Sequence, residues 1–250
     1  MTQPTITAGE FTLRPFTPAD IPWVYAVSLD AAVQKYVQVP MPYRMEDAEY
    51  FVREMAIGAW QRRERAEFVI VAAEGERLGR VSLGLDGNGA AQVGYWMDPA
   101  ARGRGVATRA LRELCRWGFA ELGLGLIEWR AEVGNLASRR VAEKAGFTVE
   151  AVLRRRLVHR GVRVDAWIGS MLPEEMPSEK KAFGGDAAQG DAFGGDAARG
   201  DAARGDAARG DAFRGRERHA RGRWFGGGRG RVIGVDGWGG VAIWWRGESA

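Results

Sequence analysis

The sequence has few of the features that mark secreted or membrane-embedded proteins. Its 250 residues include one cysteine, so no disulfide can form within the chain. No apolar run approaches the roughly 20 residues that span a bilayer, and the first residues lack a basic segment followed by an apolar one. Cys115 lies on an apolar stripe at helical spacing, which favours a buried core residue over a nucleophile. We therefore expect a cytoplasmic protein that does not contact membranes.

Neither sign of charge dominates the chain, which has 36 Lys and Arg against 32 Asp and Glu. Net charge therefore does not imply a nucleic-acid partner for the folded part. Leucine is absent after Leu172, and residues 173–250 are dominated by Gly, Ala, Arg and Asp. This composition predicts one folded domain at residues 1–172 and a low-complexity, disordered tail at residues 173–250.

The tail has two distinct parts. From Gly185 a Gly-Asp-Ala pattern repeats every five residues, but its alanine-rich centre does not fit a pentapeptide β-helix. Phe213–Arg231 then carries seven arginines, with the aromatic residues Trp224 and Phe225 in the middle. Such a composition can bind RNA through phosphate contacts and stacking. An extension without a function is the favoured interpretation, and RNA binding is the alternative.

A Gly-rich turn between a strand-like and a helix-like segment is the most informative feature of the chain. Its residues are Arg102, Gly103, Arg104, Gly105, Val106 and Ala107. The first N–H groups of a helix lack intrahelical partners and carry partial positive charge, so they attract anions. Glycines let ligand oxygens approach the main chain, and the arginines add charge. The turn therefore predicts a pyrophosphate site.

Two familiar phosphate-binding motifs do not match this turn. A P-loop requires a lysine, and none follows Gly105. A dinucleotide-binding fingerprint requires a third glycine where the chain has Thr108. An ordinary Gly-rich loop with solvated arginines remains the alternative that the turn alone leaves open.

A second segment favours a specific family of phosphate-containing ligands. The Arg-x-x-Gly-x-Ala pattern follows Gly94–Pro99 and resembles the acyl-CoA pyrophosphate loop of the GNAT N-acetyltransferase superfamily. Asn135–Phe147 resembles the second GNAT motif, a helix that opens Asn-x-x-Ser and closes in Gly-Phe. The resemblance extends over about residues 10–172. It is strongest to the branch that includes the ribosomal-protein N-terminal alanine acetyltransferases.

The resemblance implies an α/β (α+β) fold with a mixed, mostly antiparallel, curved sheet of about seven strands flanked by helices. Hydrophobic patterning predicts strands at residues 11–16, 67–73, 78–85, 91–97, 126–133, 147–153 and 162–172. Turn and capping signals predict helices at residues 18–29, 45–61, 108–122 and 135–145.

The resemblance also implies how substrates are held. Acetyl-CoA is the acyl donor in this family, and an amine, here a peptide N-terminus or a small molecule, is the acceptor. The pantetheine arm is expected to pair with the main chain of Tyr95, Trp96 and Met97, between two strands that splay apart. Asn135 is expected to contact the same arm, and a main-chain N–H near Met97 to stabilise the oxyanion.

The groups that move protons are harder to identify. Many GNAT enzymes place a tyrosine where this chain has Ala142, so Ser138, a serine in related enzymes, is the predicted catalytic partner of the leaving thiolate. The alternative is that Ser138 bonds only its own helix. Gln92 stands where relatives often have glutamate, and an amide cannot accept the proton. The remaining candidate bases are Glu132, Glu150, His159 and Asp165.

The lack of an evident strong base favours an acceptor that is already partly neutral. An α-amine has a pKa of about 8 and a lysine amine of about 10.4, so the α-amine loses its proton more readily. A protein N-terminus is therefore the favoured acceptor. A small-molecule amine acetyltransferase and an acyl-CoA-binding protein without turnover remain alternatives. The expected oligomeric state is a monomer or a homodimer.

Overall fold

The computed structural model describes residues 2–176 and two short strands, Val232–Val235 and Val241–Trp244. These two strands pair antiparallel, in a stretch where the sequence predicts no strand. The predictions for the five-residue repeat and for Phe213–Arg231 lie outside the described residues, as do those for the rest of the tail.

One mixed, mostly antiparallel sheet forms the centre of the fold, which confirms the predicted fold class. Its eight strands follow the order β1-β2-β3-β4-β5-β6-β8-β7. They are β1 (Ile6–Ala8), β2 (Phe11–Pro15), β3 (Arg65–Ala72), β4 (Arg77–Leu85), β5 (Ala90–Met97), β6 (Leu126–Glu132), β7 (Thr148–His159) and β8 (Val162–Met171). The strand beyond the expected seven is β1, whose three residues are too few to show alternation.

Strand β7 is longer than predicted. The sequence places its end at residue 153, but the strand continues to His159. A shift of register between Leu153 and Leu157 interrupts the pairing with β8, and Arg155 has a φ of 51°. The prediction was wrong because this bulge spans three consecutive arginines and breaks the alternation that identifies a strand.

Six α-helices lie in the described residues. They are α1 (Ile21–Ser28), α2 (Ala31–Tyr36), α3 (Met45–Tyr50), α4 (Ala59–Gln61), α5 (Val106–Leu122) and α6 (Leu136–Ala145). The helix predicted at residues 45–61 is present, but Phe51–Gly58 has π-helical geometry between α3 and α4. The sequence missed α2, a short helix whose N-cap Asp30 accepts hydrogen bonds from two main-chain N–H groups. No helix of the described chain is long and apolar enough to cross a membrane.

The two faces of the sheet pack on different helices. We call one the α5 face, where Val81, Leu83 and Val93 belong to a core shared with α5 and α6. We call the other the α1 face, where Val69 and Trp96 pack with residues of α1, α2 and α3. Cys115 is fully buried in the α5-face core, and burial raises the pKa of its thiol, as expected for a core residue.

A buried carboxylate fixes the start of α1. Asp20 is fully buried and accepts hydrogen bonds from Arg14, from Arg77 and from the N–H of Thr17. Burial opposes ionisation of this carboxyl, but the hydrogen bonds outweigh it, and the pKa of Asp20 lies well below its usual range.

We expect Asp20→Asn to lower the free energy of unfolding at pH 7 by about 2 kcal/mol, because two partly exposed arginines lose their carboxylate. The folded state lowers the pKa of this carboxyl below its value of about 3.9 in the unfolded chain, so the carboxylate stabilises the fold fully above that value. The stabilisation is lost as the pH falls towards the pKa of the folded state. The difference in the free energy of unfolding between wild type and variant, measured by urea unfolding, should be constant between about pH 5 and about pH 7. If the difference in the free energy of unfolding does not become smaller below about pH 5, the ionised Asp20 carboxylate is not the source of this stabilisation.

Candidate functional site

The central strands β5 and β6 run parallel and then separate. Their pairing covers only Ala90–Gln92 with Leu126–Glu128, although β5 continues to Met97 and β6 to Glu132. The separation opens a notch in the middle of the sheet. The sequence indicates this notch only through its family resemblance.

Main-chain polar groups line both edges of the notch. The N–H of Asp98 donates to the carbonyl of Leu78, which sets the alternation of hydrogen bonds between β5 and β4. In this register the N–H and C=O groups of Tyr95 and Met97 point away from β4 and towards the notch. The same alternation between β6 and β8 turns the main chain of Arg130 towards it. An extended ligand can therefore pair with either edge as an added strand.

The Gly-rich turn follows β5 and leads directly into α5. Gly103 and Gly105 have φ values of +75° and +71°, and no heavy atom lies within 4 Å of the position that a Cβ would take. Helix α5 begins at Val106, two residues before the predicted start, and its first main-chain bond runs from Arg109 to Gly105. The preceding N–H groups have no intrahelical acceptor; they belong to Val106, Ala107 and Thr108. The turn thus presents open space and free donors to an anion.

The two arginines of the turn have different surroundings. Arg102 donates to Asp30 at 2.5 Å and to the carbonyl of Met97 at 3.3 Å. Its hydrogen bond lowers the pKa of the Asp30 carboxyl, so Arg102 ties the turn to the start of α2. Arg104 is exposed and forms no ion pair within the described residues. Of the two charges predicted here, Arg104 is the one that a ligand can use.

Several predicted contact residues face away from the notch. The side chains of Trp96 and Val106 are buried in the two apolar cores. The main-chain N–H of Val106 is available to a ligand, whereas the main chain of Trp96 pairs with Arg80 of β4. Met97 and Ala107 are half-buried. The predicted main-chain contacts at Met97, Val106 and Ala107 are compatible with the geometry. Neither the side chain nor the paired main chain of Trp96 faces the notch.

Tyr95, Trp129 and Ser138 meet on the α5 face beside the notch. The indole N–H of Trp129 donates to Ser138 Oγ at 3.1 Å, and the Tyr95 hydroxyl lies 2.9 Å from the same oxygen. The Tyr95 hydroxyl also donates to the carbonyl of Ser138 at 2.8 Å. Burial raises the pKa of Tyr95 to about 12, so the phenol is neutral at pH 7. The Ser138 hydroxyl therefore links β5 to β6 through hydrogen bonds. Within the described residues it does not bond to the main chain of its own helix.

Asn135 and Ala142 occupy the two other informative positions of α6. Asn135 Oδ1 accepts the N–H of Ser138 at 3.2 Å and caps the helix. Its Nδ2 has no partner within the described residues and can donate to a ligand. Ala142 is fully buried, and its methyl side chain cannot donate a proton.

Two of the four candidate bases form a pair, and the other two lie apart from it. Glu132 and His159 form a pair in which Nδ1 lies 2.7 Å from Oε2. Glu150 is exposed on β7, at the edge of the sheet. Asp165 accepts the N–H of Arg155 at 2.8 Å and thereby shapes the bulge of β7. Sequence spacing gave no signal for the first pair, because 27 residues separate its members.

Known proteins share both sequence and architecture with this chain. A model of the acetyltransferase (GNAT) domain family matches residues 10–148. "Putative ribosomal N-acetyltransferase YdaF" of Bacillus subtilis is 37% identical over 134 residues, which cover 51% of this chain and 73% of that protein. "Probable N-acetyltransferase YjcK" of the same organism is 39% identical over 113 residues, covering 44% of this chain and 62% of that protein.

Solved structures extend the likeness to the fold. RimL, a ribosomal L7/L12 alpha-N-protein acetyltransferase in complex with coenzyme A, has a TM-score of 0.62 at 23% identity, covering 68% of this chain and 98% of that one. Spermidine N-acetyltransferase from Vibrio cholerae, in complex with CoA and spermine, has a TM-score of 0.59 at 19% identity, covering 67% and 98%. At these identities the comparison concerns the fold alone.

Proposed function

This chain belongs to the GNAT acetyltransferase family, and we propose that it moves the acetyl group of acetyl-CoA to the α-amine of a peptide or protein. The observation that carries the proposal is the notch between β5 and β6 with the Gly-rich turn at its end. A notch with free main-chain groups fits the amide-bearing arm of CoA, and a helix N-terminus fits its pyrophosphate.

Each part of acetyl-CoA has a matching group in this chain. The first N–H groups of α5 and the Arg104 guanidinium would bind the pyrophosphate. The main-chain edge of Tyr95 and Met97, together with Asn135 Nδ2, would bind the pantetheine amides. The N–H of Met97 would stabilise the oxyanion that forms as the amine adds to the thioester.

Ser138 would stabilise the thiolate that leaves. Its hydroxyl lies between β5 and β6, held by Trp129 and Tyr95. The Tyr95 hydroxyl has one proton, and when it donates to Ser138 Oγ instead of to the Ser138 carbonyl, the Ser138 proton is free to turn towards a sulfur in the notch. The neutral Tyr95 phenol supports it, because its hydrogen bond to Ser138 polarises the hydroxyl.

We expect Ser138→Ala to lower kcat about a hundredfold, the low end for an assisted proton transfer. The Kd of acetyl-CoA, measured by calorimetry, should change by less than about threefold, because the lost group acts on the departing thiolate rather than on bound cofactor. Ser170→Ala on β8 is the matched control and should retain full activity. An unchanged kcat in Ser138→Ala would remove Ser138 from the mechanism.

The α-amine acceptor is supported by chemistry and by relatives. An α-amine is partly neutral near pH 7, whereas a lysine amine is almost wholly charged. YdaF carries a ribosomal designation and RimL is an alpha-N-protein acetyltransferase. The spermidine enzyme, with the same fold, favours a small polyamine as the second candidate acceptor.

Thiol release from acetyl-CoA by the full chain tests this function. The acceptor panel holds peptides with free N-termini, lysine peptides with acetylated N-termini, spermidine and an aminoglycoside. We expect turnover with the free N-termini and little with the blocked peptides. Turnover with spermidine alone would support the second candidate, and acetyl-CoA binding without any turnover would support a binding protein.

A further inference from the structure

We propose that His159 is the base that accepts the proton of the attacking amine and that Glu132 positions its imidazole. This inference rests on the acetyltransferase function proposed above and adds the proton acceptor that Gln92 cannot supply. His159 is the last residue of β7, and Glu132 is the last residue of β6. The fold therefore joins two strand ends that are distant in sequence.

The pair stands at the level of the notch where the thioester would lie. Gln92 on β5 pairs with Glu128 on β6, and the two strands run parallel at this point. Glu132 is consequently as far along β6 as Trp96 is along β5. The next residue of β5 is Met97, whose N–H is the proposed oxyanion donor.

The pair lies on the face opposite to the leaving-group hydroxyl. Glu132 pairs with Ala166 of β8, and His159 pairs with Val162 of β8. Because Ala166 and Val162 are an even number of residues apart, the pair projects from one face, the α1 face. Trp129, which holds Ser138, projects from the α5 face. The group that receives the amine proton is thus kept apart from the group that stabilises the thiolate.

The hydrogen bond within the pair sets the chemistry of the imidazole. With Nδ1 2.7 Å from the Glu132 carboxylate, the neutral ring carries its proton on Nδ1 and donates it to Oε2. Nε2 is then an acceptor. It is buried and has no hydrogen-bond partner within the described residues. A buried acceptor without a partner is unfavourable until a proton donor reaches it, and a substrate amine or an ordered water is such a donor.

The segment from Gln34 to Gln38 adjoins this corner and limits its contact with solvent. The Gln38 side chain donates to the carbonyl of Val158, and Arg160 donates to the carbonyl of Gln34. These bonds flank His159 on both sides in sequence, and its side chain is only 15% exposed. Bulk water therefore competes poorly for Nε2.

The other charged groups near the pair do not act as bases. Arg130 is ion-paired with Glu128 on β6, and Arg160 and Lys35 carry positive charge. On β8, the Asp165 carboxylate bonds the main chain of β7. A cation has no lone pair to offer, and each nearby carboxylate already has a partner. His159 Nε2 is therefore the nitrogen lone pair at this corner that has no partner among the described residues.

The proposed reaction forms one C–N bond and breaks one C–S bond. The ammonium form of the acceptor gives one proton to His159 Nε2, directly or through one water, and the neutral amine nitrogen then adds to the thioester carbonyl carbon. The second proton lost by this nitrogen is the one that the thiolate takes up. The C–S bond then breaks, and the thiolate departs towards Ser138. The imidazolium releases its proton to solvent and the thiolate takes one up. The products are the acetylated amine and free CoA thiol.

The test compares His159→Gln and Glu132→Gln with the wild-type full chain, on a peptide that the wild type acetylates. We expect kcat/KM at pH 7 to fall about a hundredfold in His159→Gln and about tenfold in Glu132→Gln. The deficit should shrink as pH rises above about 8, where the α-amine is neutral without help. The Kd of acetyl-CoA should not change, and Glu150→Gln, which alters an exposed carboxylate of β7, should behave as wild type.

The outcomes separate this inference from the function it rests on. Wild-type turnover together with a His159→Gln variant of normal activity and normal pH profile would overturn the base assignment alone. A loss that is equal at every pH, with a lowered Tm, would assign His159 to holding the β7 end and would also overturn it. A wild-type chain that acetylates no acceptor would overturn the proposed function and the base together.

Discussion

Replacing Gly105 with glutamate is expected to raise the Kd of acetyl-CoA at least a hundredfold, a loss of about 2.7 kcal/mol of binding free energy. Gly105 caps α5, and the space where its Cβ would stand is open. A glutamate side chain would enter that space and put its carboxylate against the helix N-terminus. The carboxylate would occupy the donors that the pyrophosphate needs and repel the phosphates as well.

The control for this prediction must carry the same backbone strain. A side chain at a φ of +71° costs about 1–2 kcal/mol whatever its charge. Gly87, in the β4–β5 turn, has a φ of +79° and also has open space around its Cβ position. Gly87→Glu should therefore lose similar stability and keep acetyl-CoA binding in calorimetry. Tight binding by Gly105→Glu would mean that the pyrophosphate lies elsewhere.

The Gly-rich turn was predictable because each of its signals is local. The strand before it, the two glycines and the helix after it are contiguous in sequence, and anion binding at a helix N-terminus follows from general electrostatics. The role of Arg102 was not predictable in this way. Its partner Asp30 lies 72 residues earlier, on a helix too short to give a periodic pattern. The sequence therefore gives no signal for the ion pair of Arg102 with Asp30, while a contact of Arg102 with the ligand stays a prediction.

The fold was predictable in type but not in its irregular parts. The alternation of apolar and polar residues identified the strands that form the centre of the sheet, and capping signals identified α5 and α6. The separation of β5 and β6 has no local signature, since it depends on which residues of two distant segments pair. The same reason hides the Glu132–His159 pair, whose members meet only after β7 folds back beside β8.

A buried ion pair in the centre of the sheet carries the largest expected effect on stability. Glu67 is fully buried and accepts two hydrogen bonds from Arg80, each 2.6 Å long. Arg80 also donates to Ser82 Oγ at 2.9 Å and lies over the ring of Phe51. Arg65 also donates to Glu67 Oε1, at 3.4 Å, so Glu67 has two cationic partners, whereas Glu67 is the carboxylate that Arg80 contacts.

We expect Glu67→Gln to lower the free energy of unfolding by about 4 kcal/mol, because the Arg80 guanidinium then remains buried without its counter-charge. Urea unfolding followed by tryptophan fluorescence would measure the loss. Ser82→Ala, which removes a neutral partner of the same guanidinium, is the matched control and should cost only about 1 kcal/mol. A Glu67→Gln protein as stable as wild type would show that water or another side chain compensates Arg80.

The double variant Glu67→Leu with Arg80→Met separates two explanations for that loss. Replacing both charges by apolar groups of similar size removes the cost of desolvating them, and such exchanges are often neutral or stabilising. If the double variant regains most of the stability lost in Glu67→Gln, the single-variant loss measures the unpaired charge rather than a net benefit of the pair. If it stays as unstable as the single variant, the pair itself stabilises the sheet, through hydrogen bonds to Ser82 and contact with Phe51 that methionine cannot reproduce.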